Sequence, residues 1–426
     1  MDGHKNVPAI RFKGFTDDWE QRKLYDTFDF LQNNTLSRAN LNQETGAAKN
    51  IHYGDVLIKY GEYLNVSETS LPYIPSIQIV DKFKASLLQD GDVIMADTAE
   101  DETVGKCTEI RSLQGAPTIS GLHTIPMRPK EKIAPGYLGY YLNSDAYHDQ
   151  LLPLMQGIKV TSVSKGSIQN TLVSLPRELT EQASIGNFFI RLDNLITLHQ
   201  RKYDKLLNVK RAMLEKMFPQ KGKKAPGIRF KGFTDDWKQQ KLDDVVDKAV
   251  DNRGKTPPIS ENGTHPLIEV ASLGNGAPDY TKVTKYLDDE TFDSALRDYI
   301  REGDILFSTV GSIGLVSLMD SKEEAAIAQN IVSFRAKEKY DSKFLFAMFS
   351  NKENQDKAWR IVMGAVQPSI KVSQLITVKY CVAENIEEQR KIGDFFYNLD
   401  TLITLQKRKV EKLKNIKKAM LEKIFV

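Results

Sequence analysis

Cysteine is nearly absent from this chain of 426 residues, and no long apolar run occurs in it. The two cysteines, Cys107 and Cys381, form neither a CxxC pair nor a disulfide framework, which indicates two separate core thiols. A membrane span needs about 20 consecutive apolar residues, and the first residues lack the apolar centre of a signal peptide. These absences predict a cytoplasmic protein without a membrane partner, with enough chain for two or more domains.

Catalytic motifs are absent as well. The sequence contains no HExxH, no GxSxG, no GxGxxG after a predicted strand and no complete phosphate-binding loop. Residues 254–256 resemble the end of such a loop, but position 249 is alanine where the loop requires glycine. The six histidines show no metal-ligand spacing, and the acidic residues between 97 and 102 are interpreted as a solvated loop rather than a metal site. The sequence therefore predicts a binding protein with no metal and no cofactor of its own.

A duplication is the main feature that the chain does contain. Residues 10–19 return unchanged as residues 228–237. Residues 181–218 align without a gap on residues 388–425, and 24 of these 38 positions are identical. The sequences between the repeats do not match in any obvious way. This pattern predicts two different binding modules on one duplicated frame.

The longer repeat has the helical period. Its apolar residues recur mostly at steps of three and four, and neither copy contains proline. Each copy would form a helix of roughly 57 Å, at ~1.5 Å per residue. Because a small domain cannot bury so long a stripe, we expect the two helices to pack on each other, antiparallel about a pseudo-twofold axis. In the alternative arrangement, each helix packs on its own domain. The residues expected in the helix packing are Ile185, Phe188, Leu192, Leu195, Leu206, Met213, Ile392, Phe395, Leu399, Leu402, Leu413 and Met420.

The net charge of +3 is unevenly distributed. Residues 181–224 carry +6 and residues 388–426 carry +5, so the rest of the chain carries −8. This asymmetry argues against variable regions that are simple basic DNA-binding domains. The basic face of the helices is compatible with a solvated surface, a DNA-facing surface or a partner-facing surface.

The variable regions are predicted to be mixed α+β domains. Short β-like runs follow Gly-Asp pairs at 91–92 and 303–304, and helical stretches are predicted at 137–152 and 343–361. In the shorter repeat we expect the aromatic residues to anchor each half against a helix base; these residues are Phe12, Phe15 and Trp19. The predicted division of the chain is a first domain at 1–180, a central helix at 181–222, a second domain at 223–387 and a C-terminal helix at 388–426.

Each variable region ends in a polar loop, which begins at a glycine 24 residues before the first glutamate of the long helix, Gly157 or Gly364. Small hydroxyls, amides and lysines are suited to phosphate and base-edge contacts, although any surface loop contains them. Two loops of the second region, at 251–258 and 308–314, are similar in composition. The candidate DNA-contacting residues are Thr98, Lys159, Thr161, Ser162, Ser164, Lys165, Arg253, Lys255, Thr256, Thr309, Ser312, Gln367, Ser369 and Lys371.

These features together resemble the DNA-specificity subunit of type I restriction–modification systems. The order of variable domain and long helix is duplicated over essentially the whole chain. Both helices open with Glu-Gln-x-x-Ile-Gly-x-Phe-Phe-x-x-Leu-Asp, at 181 and 388, and both end with Ala-Met-Leu-Glu-Lys. The second variable region adds Arg-Gly-Lys-Thr-Pro-Pro at 253–258 and Gly-Asp-Ile-Leu-Phe-Ser at 303–308.

The resemblance implies a non-catalytic subunit that reads a bipartite, asymmetric target in double-stranded DNA. It implies an α+β fold, with two target-recognition domains separated by two long antiparallel coiled-coil helices. It also implies two methyltransferase subunits, which use S-adenosylmethionine to methylate adenine, and two restriction/translocase subunits, which use ATP and Mg. A spacer of roughly 57 Å would span about 17 base pairs at 3.4 Å each. The alternative from another class is a coiled-coil scaffold whose variable domains bind proteins.

Overall fold

The computed structural model describes residues 6–250, 257–274, 276–295, 298–321, 325–364 and 366–426. The chain divides into two compact units: Met1–Leu198 with Val410–Val426, and His199–Lys409. Each unit contains one mixed α/β domain, part of the long helix that follows this domain and part of the other long helix. Two mixed domains with two long helices confirm the predicted fold class. Among the described residues, no helix is long and apolar enough to cross a membrane.

The first unit is built around a five-stranded sheet with the order β2-β10-β6-β8-β4. A three-stranded sheet, β5-β3-β9, and two strand pairs, β1-β12 and β11-β7, complete its β structure. The strands are β1 (Glu20–Lys23), β2 (Phe28–Phe30), β3 (Ala48–Ile51), β4 (Tyr63–Asn65), β5 (Tyr73–Ile74), β6 (Val93–Ala96), β7 (Thr98–Ala99), β8 (Cys107–Arg111), β9 (Thr118–Ser120), β10 (Thr124–Pro129), β11 (Thr161–Ser162) and β12 (Leu172–Leu175).

The second unit repeats most of this topology, although the variable sequences do not match. In its described residues the main sheet has four strands instead of five, and an isolated bridge between Val310 and Ser369 stands in the place of the β11-β7 pair. Its sheets have the orders β14-β20-β17-β18, β16-β15-β19 and β13-β21. The central strand of each three-stranded sheet pairs antiparallel on one side and parallel on the other in both units. The duplicated frame therefore extends through the variable regions. The strands are β13 (Lys238–Lys241), β14 (Val246–Val250), β15 (His265–Ile268), β16 (Tyr286–Leu287), β17 (Ile305–Ser308), β18 (Val316–Leu318), β19 (Ala326–Ile327), β20 (Ile331–Ala336) and β21 (Lys379–Val382).

The helices are short, apart from the two that the repeat predicted. The helices are α1 (Leu24–Thr27), α2 (Tyr53–Ile58), α3 (Ile77–Asp81), α4 (Tyr137–Tyr141), α5 (Asp145–His148), α6 (Lys165–Ile168), α7 (Leu179–Met217), α8 (Leu242–Val245), α9 (Asp289–Ala295), α10 (Ser342–Ser350), α11 (Lys352–Trp359), α12 (Val372–Leu375) and α13 (Ile386–Ile424). Single-turn 3-10 segments lie at Arg38–Asn40, Lys84–Ser86, Leu152–Leu154, Val270–Ser272 and Tyr280–Lys282.

Helices occur in both stretches that were predicted to be helical, 137–152 and 343–361, and each stretch is divided into shorter helices. In the second unit the break is at Asn351, whose ψ of 130° is extended and whose side chain accepts a hydrogen bond from the backbone N–H of Asn354. In the first unit Ser144 is extended in the same way, with ψ of 154°. Ser and Asn are favoured residues at a helix start, and this preference overrides the apolar period of the stretch.

The two long helices run antiparallel in each unit. In the second unit, His199 Nδ1 lies 2.8 Å from Gln406 Oε1, and Lys210 Nζ lies 2.5 Å from Asp400 Oδ1, so the partners occur in reversed order. In the first unit the ring of Phe189 stacks on that of Phe425. Further along, Asp193 Oδ1 lies 2.8 Å from Lys417 Nζ. His199 and Gln406 interrupt the apolar pattern in the sequence, and they pair with each other in the structure.

The residues predicted for the helix packing differ in burial, and two of them contradict the prediction. Ile185, Leu192, Ile392 and Leu399 are buried. Phe188, Leu206, Met213, Phe395, Leu413 and Met420 are half-buried. The two errors are Leu195 and Leu402, whose side chains are 45% and 47% exposed. The apolar stripe is wider than the contact it makes, because polar partners occupy part of the helix–helix seam.

Both arrangements considered for the helices contribute to the packing. Ile185 and Phe189 belong to the core of the first unit, the domain that precedes their helix. Phe425, from the end of the other helix, joins the same core. Met217 and Phe218 enter the core of the second unit in the corresponding way. Each core is therefore completed by the end of the helix that follows the other domain in the sequence.

The repeated sequences meet in a buried ion pair at the start of each long helix. In the first unit the Arg11 guanidinium donates two hydrogen bonds to Glu181, at 2.6 and 2.8 Å. In the second unit Arg229 donates two to Glu388, at 2.5 and 2.7 Å. Both glutamates are 1% exposed. These hydrogen bonds raise the pKa of both arginines, so both remain charged.

The glutamine that follows each of these glutamates joins the helix to two loops. Gln182 accepts a hydrogen bond from the backbone N–H of Ala134 and donates one to the carbonyl of Pro176. Gln389 makes the same two contacts in the second unit, with the backbones of Asp341 and Ala383. The identity of the Glu-Gln openings therefore has a structural cause, since each side chain has a defined partner in its own unit.

The aromatic residues of the short repeat line the same region. Trp19 is buried, and its ring packs edge-on against Tyr137 at 6.0 Å. Phe12 packs edge-on against Phe188 of the long helix, also at 6.0 Å. Phe15 is half-buried. The predicted anchoring of the repeat at the helix base is confirmed for Phe12 and Trp19.

The Gly-Asp pairs precede strands, as predicted, and they have a second role. Gly91 and Gly303 have φ of +97° and +87°, a conformation that favours glycine. The aspartate that follows each glycine is buried and forms a bidentate pair with an arginine of a neighbouring strand. These pairs are Asp92 with Arg128 and Asp304 with Arg335.

Removal of the Glu388 charge should destabilise the second unit. In Glu388→Gln the half-buried Arg229 would lose the counter-charge of a buried carboxylate, and we expect a loss of about 3 kcal/mol in the free energy of unfolding. The measurement is hydrogen–deuterium exchange of the C-terminal helix in the full chain during a urea titration. The matched control is Glu387→Gln, whose exposed carboxylate pairs with Arg390 and should contribute less than about 0.5 kcal/mol. Equal losses of unfolding free energy in the two variants would show that the Arg229–Glu388 pair stabilises the protein no more than an exposed ion pair does.

Candidate nucleic-acid interface

The predicted loop of the first unit is a rigid hairpin. Gln156 and Ser162 exchange two backbone hydrogen bonds, at 2.9 and 2.8 Å. Strand β11 then pairs antiparallel with β7, with Ser162 opposite Thr98 and Thr161 opposite Ala99. The structure thus brings together Thr98, Thr161 and Ser162, three of the predicted contact residues. Lys159 lies at the exposed tip of the same loop.

Two further predicted residues of this loop have structural partners. The Ser164 hydroxyl caps helix α6 by accepting a hydrogen bond from the backbone N–H of Ser167 at 3.0 Å. The Lys165 ammonium lies over the ring of Phe30, 4.6 Å from its centroid. Both side chains remain exposed. The cap formed by Ser164 explains why helix α6 begins immediately after the hairpin.

The second unit has a loop of the same construction. Met363 and Ser369 exchange two backbone hydrogen bonds, each 2.9 Å long. The backbone N–H of Gly311 donates to the carbonyl of Pro368, which connects this hairpin to the loop after β17. Gln367 and Ser312 are exposed on these two loops. Ser369 is half-buried, and Lys371 is exposed just before helix α12.

Four predicted residues of the second unit do not form part of a described surface. Thr309 is 6% exposed, and its hydroxyl donates to the carbonyl of Asn330 at 3.2 Å. Its side chain therefore supports the loop from inside and faces no ligand, which corrects its prediction as a contact residue. The other three, Arg253, Lys255 and Thr256, lie outside the described residues.

One backbone junction recurs in both units and was not predicted. In the first unit the Asp97 N–H donates to the His123 carbonyl, and the Asp97 carbonyl accepts from the N–H of Val163. In the second unit Thr309 makes the same two hydrogen bonds, with the backbones of Asn330 and Ile370. We call each set of three residues a loop junction: Asp97, His123 and Val163 in the first unit, and Thr309, Asn330 and Ile370 in the second.

The junction side chains differ between the units. In the first unit His123 has φ of +54°, a strained conformation for a residue with a side chain. Its Nδ1 lies 3.3 Å from Asp97 Oδ1 and 3.4 Å from Thr98 Oγ1, and its ring packs edge-on against Tyr53. In the second unit the corresponding positions are Thr309 and Asn330. The same frame therefore presents different chemistry in the two units.

His123 and Tyr53 carried no signal in the sequence. Neither belongs to a repeat or a polar loop, and His123 is separated from Asp97 by strands. Within the ranges that the structure describes, no group of three or more His, Cys, Asp or Glu side chains could hold a metal ion. Each site offers exposed and half-buried hydroxyls, amides and basic groups on a loop that backbone hydrogen bonds close. These groups can donate to phosphate oxygens and to base edges.

A family model described as type I restriction modification DNA specificity domain matches this chain twice, at residues 16–208 and 234–415. Each match spans one variable region and most of the long helix that follows it. The duplication in the sequence therefore corresponds to two copies of one domain type.

The chain is also similar to two proteins of Methanocaldococcus jannaschii. One, named provisionally as the MjaX type I restriction enzyme specificity subunit, is 26% identical over 439 aligned positions, covering 98% of this chain and 95% of that protein. The other, the MjaVIII type I restriction enzyme specificity subunit, is 25% identical over 275 positions, covering 62% of this chain and 64% of that protein.

Among solved structures, the chain is similar to the S subunit of a type I restriction-modification system from M. genitalium. The alignment covers 99% of both chains, with a TM-score of 0.61 and 12% sequence identity. At this identity the likeness shows that the fold is shared.

The hairpin of the first unit should depend on Gly157. Its φ is +118°, and a methyl group at this position would meet the carbonyl oxygen of Val160. We expect Gly157→Ala to open the hairpin and to raise the exchange rate of the amide hydrogens of residues 155–163 at least about tenfold, measured by mass spectrometry. Gly166→Ala, at an open position in the same segment, is the control and should leave exchange unchanged. Unchanged exchange in Gly157→Ala would show that the loop accommodates a side chain.

Proposed function

Since the chain belongs to the type I restriction–modification DNA specificity family, we propose that its two domains each read one half of a bipartite, asymmetric target in double-stranded DNA. The observation that carries this proposal is the pair of loop junctions. Each junction fixes a hairpin against a neighbouring loop with the same backbone hydrogen bonds, while the side chains differ. A shared frame with different side chains is what two readers of different sequences require.

Direct reading of bases would use the exposed and half-buried polar groups of each hairpin. In the first domain these are Lys159, Thr161 and Ser162, with Thr98 and His123 beside them. In the second domain they are Gln367 and Ser369, with Ser312 on the adjacent loop. Glutamine suits adenine, lysine suits guanine, and hydroxyls suit either. Because the two sets differ, the two half-sites should differ as well.

The long helices would set the gap between the half-sites. Each is a continuous helix of 39 residues, about 58 Å long at ~1.5 Å per residue. The excess positive charge of the chain is on these helices and their flanks, and the remaining residues carry a net negative charge. Much of the phosphate neutralisation would therefore come from partner subunits.

The partner subunits would bind at two equivalent apolar surfaces, one in each unit. Leu195 and Leu198 in the first unit are 45% and 62% exposed, and their repeat equivalents Leu402 and Leu405 are 47% and 46% exposed. The isoleucine of each Leu-Ile-Thr-Leu segment turns inward instead. Two identical apolar surfaces favour two copies of one partner, which we assign as methyltransferase subunits with S-adenosylmethionine. Two restriction/translocase subunits with ATP and Mg would complete the assembly, and this chain would supply no catalysis.

The DNA target is the direct test of this proposal. We expect the methylome of cells that carry the system to contain a split, non-palindromic adenine-methylation motif with a fixed gap. A continuous or palindromic motif would contradict the reading of two different half-sites. If the purified complex retains DNA without regard to sequence, the variable domains would instead bind proteins on a coiled-coil scaffold.

Domain exchange provides the control for the motif. Replacement of residues 20–180 by the same region of a relative should change one half-site only. Insertion of one heptad into the central helix should lengthen the gap and leave both half-sites unchanged. If either change alters the whole motif, recognition is not divided between two domains.

The shared leucine surfaces predict a stepwise loss of partners. The double substitution Leu195→Glu with Leu198→Glu should reduce the number of methyltransferase subunits per chain from two to one, because charge disfavours burial of that surface. Leu402→Glu with Leu405→Glu should do the same, and all four changes together should leave none, as measured by native mass spectrometry. Leu172→Glu is the control, since Leu172 is also exposed and its repeat equivalent is Lys379. Retention of two subunits in the fourfold variant would place the docking surface elsewhere.

A further inference from the structure

Both recognition hairpins present an aliphatic side chain that is entirely exposed. Ile158 is 103% exposed and Val366 is 100% exposed, more than any other large apolar residue among those described. Each lies within the five residues between the two paired positions of its hairpin, 156 and 162 or 363 and 369. The surrounding sequences do not match, so this shared feature is independent of sequence identity.

The hairpins hold these side chains in a defined place. The loop of Ile158 is closed by two backbone hydrogen bonds and is joined to β7 through β11. The loop of Val366 is closed in the same way and is joined to the loop after β17. Gly157 and Gly364, at φ of +118° and +89°, begin the two tips. A β-branched side chain has few rotamers, and the backbone hydrogen bonds restrict the loop that carries it. Both restrictions lower the entropy lost when the side chain is buried in a contact.

Isolated exposed aliphatic residues are common on protein surfaces and usually need no explanation. Ile58, on helix α2, is 80% exposed and is one of these. The two hairpin residues differ because they recur at the tips of both candidate recognition loops, among hydroxyls, an amide and a lysine. An apolar group there needs an apolar partner on the ligand.

Thymine is the only base of unmodified DNA that offers such a partner in the major groove, its C5-methyl group. We propose that Ile158 and Val366 enter the major groove and each read a thymine methyl group, one in each half-site. This inference rests on the proposed function. It adds an apolar contact to the polar reading and requires a thymine, on either strand, in each half-site.

The test removes the methyl group from the DNA and the side chain from the protein. The full chain in complex with its methyltransferase subunits is titrated with duplexes in which each thymine of the motif is replaced singly by deoxyuridine. One replacement in the first half-site should weaken binding about fourfold. Ile158→Ala should weaken binding to the thymine duplex by a similar factor. Deoxyuridine should then have no further effect on this variant, because the methyl group has already lost its partner. Val366→Ala should give the same result for the second half-site.

Ile58→Ala is the matched control, and its sensitivity to deoxyuridine should equal that of the unaltered complex. The inference is overturned if a half-site contains no thymine, if no single deoxyuridine weakens binding, or if Ile158→Ala and deoxyuridine act additively. These outcomes differ from failure of the proposed function, in which the unaltered complex would not discriminate its motif from other DNA at all.

Discussion

Each domain is fixed to its long helix by a buried bidentate ion pair, Arg11 with Glu181 or Arg229 with Glu388. Removal of two charges from water is costly, and the attraction compensates only when the geometry satisfies every donor and acceptor. Two parallel hydrogen bonds join each pair. In the first unit Arg11 also donates to the carbonyl of Asp17, and Glu181 also accepts from Trp19 Nε1. The ion pair therefore fixes the orientation of the domain on the first turn of its long helix. This orientation also determines where the polar hairpin of the domain lies relative to the helix.

The helix pair is specified by polar contacts rather than by a continuous apolar seam. Lys210 contacts Asp400 in the second unit, and Lys417 contacts Asp193 and Glu62 in the first. Burial raises the pKa of Asp193 and of Asp400, although the lysines oppose this effect. A helix shifted by one turn would leave these buried and half-buried charges without partners, so the pairs select one register at some cost in stability.

The two units share a backbone frame but carry different side chains on it. Strand order, loop junction and hairpin are common to the two units, while the side chains on them differ, as with Asp97 and His123 against Thr309 and Asn330. Among the residues that remain identical in the repeats, the Glu-Gln openings and the buried tryptophans support the frame, and four leucines are exposed. Change in the variable regions can therefore alter what is bound without altering where it is bound.

The sequence by itself determined the duplication, the two long helices and the strands after the Gly-Asp pairs. These features depend on residues within one or two turns of each other, and their periodicity is visible in the chain. The polar hairpins were also predictable as loops, and the structure brings Thr98, Thr161 and Ser162 together. Only the tertiary structure decided that Thr309 faces inward, that Leu195 and Leu402 are exposed and that His123 joins the site. These outcomes depend on contacts between residues far apart in the chain, and no local pattern encodes the partners of such contacts.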